Sequence, residues 1–400
     1  MAQFPRYAPE YNVEINGEQL PSAVRGAVSG ITYQDGQNAA DRVEVSLANH
    51  DLRWLQSHIR GLGFQPFPTN VRLGPGGAGL TGQGDGLFDI DNKLVLSLGY
   101  APDPLEKVFE GEVTGLQVSF PNGGMPGMTL VAHDYLNRLT RGTYARGFGP
   151  LADALVAIIV SAENLLIPAI DPAVMTVSTA MTVLNVIFKG TGTKQGKKGK
   201  GESDFDLVKR IAAQYDADFW VEGDVFYLSR FFPKEYSSRL TLTWGESLLE
   251  FSPKISTVGQ VASVAMKFTM RELPLSFLVS AGWDFDRESL AVSVVPGDAA
   301  SFAKAAGGPA ITIVDQPISS PADIANSALQ IIRQLRQKLN SRLTGSGSAV
   351  GDPRIRAGAV ITLDGLGPDF SGNYRVTSAT HTIGSGGYRT NFQVHKEIIP

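Results

Sequence analysis

The chain contains no cysteine among its 400 residues. Disulfides and thiolate metal sites are therefore excluded, and folding needs no oxidising compartment. Charge is scarce. Asp, Glu, Lys and Arg make up 18% of the chain, below the usual quarter or so. Much of the surface must then be polar and neutral, which suits a subunit embedded in an assembly. A basic excess is missing as well: 35 Lys and Arg stand against 39 Asp and Glu, for a net charge of −4. A general nucleic-acid binder would need a basic footprint, so none is expected here. Long apolar runs are absent. The longest, Ala154 to Val160, is far short of the ~20 residues that span a bilayer. The opening MAQFPRYAPEYN has no basic n-region and no apolar h-region, unlike a signal peptide. The expectation is a chain with no membrane partner, assembled in the cytoplasm.

Catalytic signatures are equally sparse. Gly74, Gly76 and Gly79 match the spacing of a dinucleotide fingerprint. That motif needs a strand before it and a helix after it, and Pro75 with Gly82, Gly84 and Gly86 forbids the helix. Gly196-Lys197 is no phosphate loop, because Lys198 stands where Ser or Thr is required. The five histidines, His50, His58, His133, His381 and His395, show no HExxH spacing. His133 neighbours Asp134, but adjacent strand residues point to opposite faces, so a structural histidine is expected. Asp85, Asp89 and Asp91 lie close together without the spacing or terminal Glu of a calcium loop. No serine sits in a G-x-S-x-G frame. The four tryptophans, Trp54, Trp220, Trp244 and Trp283, read as core packing. The expectation is no catalytic residue, no cofactor site and no metal site.

What is present is strand pattern with helical interludes. Tyr11, Val13 and Ile15 alternate and meet Asn16-Gly17, a primed-turn signal. Val43–Leu47 and Leu94–Leu98 alternate too. Val108–Val113, Val118–Phe120 and Thr129–Ala132 add further short strands. Residues 61–86 are a Gly- and Pro-rich interruption without periodicity. From Pro150 the pattern turns helical, with Leu151, Leu155, Ile158 and Ile159 as an apolar stripe. A weaker helix is read over Thr182–Phe188. Residues 190–202, with four lysines among glycines, read as an exposed loop. Ser203 and Asp206 then open a short amphipathic helix as a capping box. It feeds a hairpin whose strands, Phe219–Val221 and Val225–Leu228, flank Gly223-Asp224. Strands resume at Leu240–Trp244 and Val261–Phe268. Residues 297–310 read as a loop. Ser320 to Leu343 reads as the longest helix, ended by TGSGSAVGDP. Strands at Ala359–Leu363, Tyr374–Thr382 and Tyr388–Val394 close the chain. No internal repeat is visible in the residues. The fold class is α+β, with β-domains around a helical insert.

Several stretches, in order, carry a family resemblance: YNVEINGEQL with ADRVEVSL, the block from Leu96 to Gly142, the central SDFDLVKRIAAQYDADFWVEGDVFYLSR, and the ending from Ile355 to Val394. Together they resemble the late control protein D family, the tail or baseplate hub of contractile phages and phage-like contractile injection systems. They are similar also to the N-terminal hub part of type VI valine-glycine-repeat spike proteins. The resemblance implies two antiparallel β-barrel domains of the tail-hub type, joined by an α+β insert. Residues 1–145 would form the first barrel, with the loop at 61–86. Residues 146–235 would form the insert, with the lysine-rich loop at 190–202. Residues 236–400 would form the second barrel, with the helix at 321–343. It implies a structural homotrimer that adapts a hexameric inner tube, or a tube-initiator protein, to a trimeric spike. Wedge proteins of the baseplate are further expected partners. The spike is expected to be a separate chain, and the site of residence is the phage or injection-system particle. Two other readings remain open. A peptidoglycan-cleaving baseplate enzyme would need paired carboxylates in a cleft. A receptor- or carbohydrate-binding module would need exposed aromatics on one face.

Overall fold

The computed structural model describes residues 8–49, 87–143, 145–189, 197–199, 201–229, 240–255, 263–270, 276–284, 289–296, 310–318, 340 and 342–396. The first half holds β1 (Ala8–Ile15), β2 (Glu18–Gln19), α1 (Ser22–Arg25), β3 (Val28–Gly36), β4 (Arg42–Ala48), β5 (Lys93–Ala101), β6 (Glu106–Ser119) and β7 (Gly127–Asp134). A 3-10 turn at Tyr135–Thr140 leads into an insert. The insert holds β8 (Arg146–Gly147), α2 (Asp153–Glu163), β9 (Ile167–Ile170), α3 (Pro172–Lys189), β10 (Lys197–Lys198), α4 (Asp204–Gln214), β11 (Asp218–Glu222) and β12 (Val225–Ser229). The second half opens with β13 (Thr241–Thr243) and β14 (Leu248–Ile255). A separate sheet follows, of β15 (Ser263–Met270), β16 (Ser276–Asp284), β17 (Ser289–Pro296) and β18 (Ala310–Ile318). The last strands are β19 (Leu343–Val350), β20 (Val360–Asp364), β21 (Gly372–Gly384) and β22 (Gly387–His395).

One 13-stranded sheet, almost wholly antiparallel, runs through both halves. Its order is β14-β19-β22-β21-β3-β4-β7-β6-β5-β1-β2, with β20 and β13 branching from β21. The order contains a repeat. The first half reads β3-β4-β7-β6-β5-β1, and the second reads β14-β19-β22-β21-β20-β13. Each list takes its strands in the same chain order, so the halves share one topology. They differ at the last step, where β1 is antiparallel to β5 and β13 is parallel to β20.

Three apolar cores match this layout. The first gathers Val13 and Ile15 of β1, Val43 and Val45 of β4, and Leu94 and Leu96 of β5. Ile31 and Tyr33 of β3 belong to the same core. Strands at opposite ends of the first-half order therefore share one interior, which requires the sheet to curl. Among the described residues no ladder joins β1 or β2 to β3. The second core lies between the helices and the β11-β12-β9 sheet of the insert, around Leu207, Ile211, Tyr215, Phe219 and Phe226. The third lies in the second half, around Leu242, Ile361, Leu363, Tyr374 and Phe392.

Local sequence explains many elements. Asn16 and Gly17 both take positive φ, 54° and 84°, as a primed hairpin turn demands. The Ser203 hydroxyl accepts from the Asp206 N–H at 3.1 Å, and Asp206 accepts from the Ser203 N–H at 3.1 Å. That reciprocal cap fixes the start of α4.

Other elements depart from the expectations, each for a physical reason. Helix α3 begins at Pro172, ten residues before the expected Thr182. Its threonines are accommodated because Thr176, Thr179 and Thr182 donate to carbonyls four residues back, at 2.8, 2.8 and 2.9 Å. In α2 the buried face is Ala154, Ala157, Val156 and Val160, while Leu155 is exposed. The long residues had suggested a different stripe, but small ones let α2 approach its neighbours. Strand β6 is one continuous strand where the alternation predicts two, and β3 forms without a clear strand pattern of its own. The expected helix to Leu343 lies mostly outside the described residues, and Leu343 itself begins β19. The Gly/Ser-rich LTGSGSAV is thus a strand and not a terminator. A Cβ at Gly345 would stand 2.6 Å from the Phe251 ring, and one at Gly347 would stand 2.5 Å from the Phe392 ring. Rings from the flanking strands occupy the space that side chains on β19 would fill. The Gly-rich loop at 61–86, the loop at 297–309 and most of the lysine-rich loop lie outside the described residues. Within the last, Lys197–Lys198 pairs with Arg146–Gly147.

Candidate functional site

The most elaborate polar arrangement lies where the halves meet. β21 pairs with β3 from Ser378↔Gly36 to Gly384↔Gly30. Beside that ladder, Arg356 of the second half reaches into the first. Its Nε donates to Asp35 Oδ2 at 3.2 Å, and its Nη2 donates to the Tyr33 hydroxyl at 2.9 Å. The Ala357 N–H also donates to Asp35, at 3.0 Å. Tyr33 passes the chain on, donating to Asp41 Oδ2 at 2.8 Å. Asp41 is buried and lies near Asp35 and Asp134. Burial first, and then those two neighbouring carboxylates, push its carboxyl well up. Burial also raises Asp134 to about 7. The Arg356 charge and the Tyr33 hydrogen bond oppose this for Asp41. Tyr33 first, and then Asp35 and Asp41, hold the Arg356 guanidinium in the charged form.

His381 completes the joint. Its ring stacks on Tyr33 at 5.5 Å between centroids and 20° between planes. Nε2 lies 2.9 Å from the Ile355 carbonyl, which can only accept, so Nε2 carries the proton. Nδ1 then accepts from the Tyr388 hydroxyl at 2.9 Å and from Thr390 Oγ1 at 3.0 Å. All three bonds suit the neutral ring, and burial lowers its pKa to about 4. Tyr100 of β5 donates to the Gly351 carbonyl at 3.1 Å, adding a second tie between halves.

The insert is tied to the same hairpin. Asn38, in the β3–β4 turn with φ 54°, donates to Asp218 Oδ1 at 2.8 Å and accepts from the Phe219 N–H at 2.8 Å. The Gln37 N–H donates to the Thr377 carbonyl at 3.1 Å. One hairpin therefore belongs to the first core, packs Ala40 on the second and pairs with β21 of the second half. The joint is closed and satisfied. It holds parts of the chain together.

Residues singled out in the sequence fall elsewhere. His133 is half-buried against Thr114 Oγ1 at 2.6 Å, while Asp134 faces the other way and accepts from the Leu136 N–H at 3.2 Å. Asp89 is buried. Asp91, raised by burial to about 6, lies 3.7 Å from Arg141. Among the described residues no three His, Asp or Glu side chains are grouped to hold a metal. Trp220 stacks on Tyr227 at 5.1 Å. Trp244, expected in the core, is 61% exposed, because it sits in the turn that follows the short β13. His50, His58, Trp54, Asp85 and the Gly74–Gly79 spacing lie outside the described residues. An open groove of about 870 Å³ separates the insert from the second half. Its carboxylates are Asp216 and Asp218, and Asp218 is held by Asn38. Of the joint residues, the sequence singles out only His381. Arg356, Asp35 and Asp41 carry no local signal, since they are 321 positions apart in the longest case.

No known sequence family and no curated protein matches the chain. Solved structures do. A 43 kDa tail protein of prophage MuSo2 from Shewanella oneidensis superposes on 97% of this chain and 98% of its own, with a TM-score of 0.59 and 10% identity. A tail protein from Neisseria meningitidis MC58 superposes on 98% and 97%, with a TM-score of 0.56 and 10% identity. The chain has a phage tail-protein fold. A third structure extends the likeness. It is an Escherichia coli component of the type VI secretion system, described as structurally similar to the bacteriophage T4 tail proteins gp27 and gp5. It covers 97% of this chain and 80% of its own, with a TM-score of 0.54 and 12% identity. The tail-hub resemblance read from the sequence agrees with these neighbours at the level of fold. At such identity the tail-protein fold is kept by pattern, not by shared side chains.

Proposed function

We propose that the chain is a structural hub of a phage tail or contractile injection baseplate. It forms a homotrimeric ring that adapts a hexameric inner tube, or a tube-initiator protein, to a separate trimeric spike, and it contacts wedge proteins at its periphery. Residues 1–145 and 236–400 close into paired barrel domains, and residues 146–235 form the insert between them. The observation that carries this reading is the tail-protein fold along 97% of the chain. The shared topology of the halves supports it, because a trimer of a duplicated unit offers quasi-sixfold positions to a hexameric partner. The fully satisfied joint around Arg356 suits a mechanical part. Assembly takes place in the cytoplasm, and the mature site is the particle. No catalytic role is proposed.

Light scattering on the purified chain tests this directly. The expected mass is that of a trimer, alone or once the neighbouring spike protein is added. A chain that stays monomeric with tube and spike proteins both present would defeat the proposal. Clearing of a cell-wall zymogram would replace it with the enzyme reading.

A further inference from the structure

The topological repeat makes β6 the counterpart of β21, and β14 the counterpart of β3. The details agree. β6 and β21 are the longest strands described, at 14 and 13 residues. Each slips register against its following hairpin partner, β6 between Val113 and Gly115 and β21 between Val376 and Ser378. On its other side, each is covered at first by the preceding hairpin strand. β5 covers β6 as far as Glu112, and β20 covers β21 as far as Arg375. Beyond that point β21 takes β3 as its neighbour. β6 takes none: among the described residues, Thr114–Ser119 pair with nothing on that side. The matching vacancy is on β14. β3 and β14 each slip register early, between Val28 and Gly30 and between Leu248 and Glu250. The outer side of β3 is filled by β21, and that of β14 has no ladder among the described residues. The sheet thus carries two open edges that correspond to the two sides of its own internal joint.

We propose that β14 of one copy of this chain adds to β6 of the next, head to tail, repeating between chains the β21–β3 joint within each. The proposal rests on the ring reading above and names the surface that would build it. Direction permits it. Every ladder from β14 through β19, β22, β21, β3, β4 and β7 to β6 is antiparallel. Across those eight strands β6 runs opposite to β14, so their pairing is antiparallel as well.

The internal joint also supplies the register. Thr382↔Thr32 becomes Ser119↔Ser252, and Thr380↔Gln34 becomes Gln117↔Lys254. Ala379↔Asp35 becomes Leu116↔Ile255, and Ile383↔Ile31 becomes Phe120↔Phe251. The faces match. Leu116 packs on the first core and Phe251 on the third, so the inner face stays apolar across the junction. Ser119, Gln117, Ser252 and Lys254 fall together on the outer face. An independent observation agrees. Phe120 is 66% exposed and Ile255 is 53% exposed, and this register brings both to the junction, where a partner would cover them.

The absence of native cysteine makes the test clean. Residues directly opposed in an antiparallel ladder have Cα atoms about 4.5–5.5 Å apart, within disulfide reach. The full chain carrying Ser119→Cys with Ser252→Cys is oxidised and run on a non-reducing gel beside both single variants. The expected result is loss of the monomer band to linked multimers ending at trimer, reversed by reductant, with neither single variant linking in this way. Gln117→Cys with Ser252→Cys, out of register, is expected to link several-fold less. Light scattering on the same samples separates the two ideas. A trimer without cross-links overturns the edge joint and leaves the hub reading standing. A chain that is monomeric by both measures, even with tube and spike proteins both present, overturns both. Phe120→Lys supplies a check free of thiols: trimer is lost while the melting temperature of the monomer is unchanged. A Phe120→Lys chain that remains trimeric counts against the joint.

Discussion

Arg356 shows how one residue can set the relation of two halves. It satisfies Asp35 and Tyr33 at once and is the cation that offsets buried acids. Arg356→Ala would leave Asp35 and Asp41 without that partner. The expected loss is about 3 kcal/mol of unfolding free energy, read by urea denaturation. Arg356→Lys should recover only part of it, since an ammonium cannot reproduce the planar fork. His381 gives a pH signature. Its folded pKa of about 4 lies below the ordinary value near 6.5. The unfolded chain therefore binds the proton more readily, and this contribution to stability is lost as pH falls from about 6.5 towards 4. The raised carboxyl of Asp134, about 7, acts with the opposite sign, favouring the folded chain as pH falls from about 7 towards 4. A comparison with His381→Gln cancels the Asp134 effect. The wild type should lose of order 3 kcal/mol relative to the variant between pH 7 and pH 4. Equal slopes for the two proteins would refute the neutral buried assignment.

Some elements here answer to local rules and others to packing. The cap of α4 is local. Ser203→Ala should cost about 1 kcal/mol, measured by thermal or chemical unfolding. Strand β19 is the opposite case. Its glycines look like a loop in sequence, yet they are required by Phe251 and Phe392. Gly347→Ala should therefore destabilise by about 1–3 kcal/mol through overpacking, although alanine is the better residue on intrinsic grounds. A neutral or stabilising result would show that the Phe392 ring moves aside freely. Strand β3 escaped notice because its apolar positions are few and interrupted by Gly30, Thr32 and Gln34. Those interruptions face outward on a strand whose inner face carries Ile31 and Tyr33. The first ten residues of helix α3 lack a clear helical signal because Thr and Val lower helix propensity, a penalty its threonine-to-carbonyl bonds offset.

At the scale of the molecule, assembly is expected to rest on backbone pairing and apolar contact. The proposed junction sets Ser119, Gln117, Leu116 and Phe120 against Ser252, Lys254, Ile255 and Phe251, and the same register sets Pro121 against Glu250, so its charges are Lys254 and Glu250, both on β14 and neither facing a charge across the junction. Its strength should then change little with ionic strength, because screening acts on charge pairs. The trimer mass should be the same in dilute and concentrated salt. Dissociation by salt alone would point to an ionic interface elsewhere. The low overall charge, 18% of residues, is the sequence-level counterpart of this expectation.

The sequence by itself determined what is set by nearest neighbours and composition. Absence of cysteine, low charge, the Asn16-Gly17 turn, the Ser203–Asp206 cap and the Phe219–Leu228 hairpin all follow from short-range chemistry. The order of its stretches was enough to indicate a tail-type fold. Only the tertiary structure decided the joint and the repeat. Asp35 meets Arg356 because β3 and β21 pair across more than three hundred positions, and no local pattern encodes such a contact. The halves repeat one topology without repeating residues. A sheet needs alternation, room for its rings and satisfied polar groups, and many different sequences meet those demands.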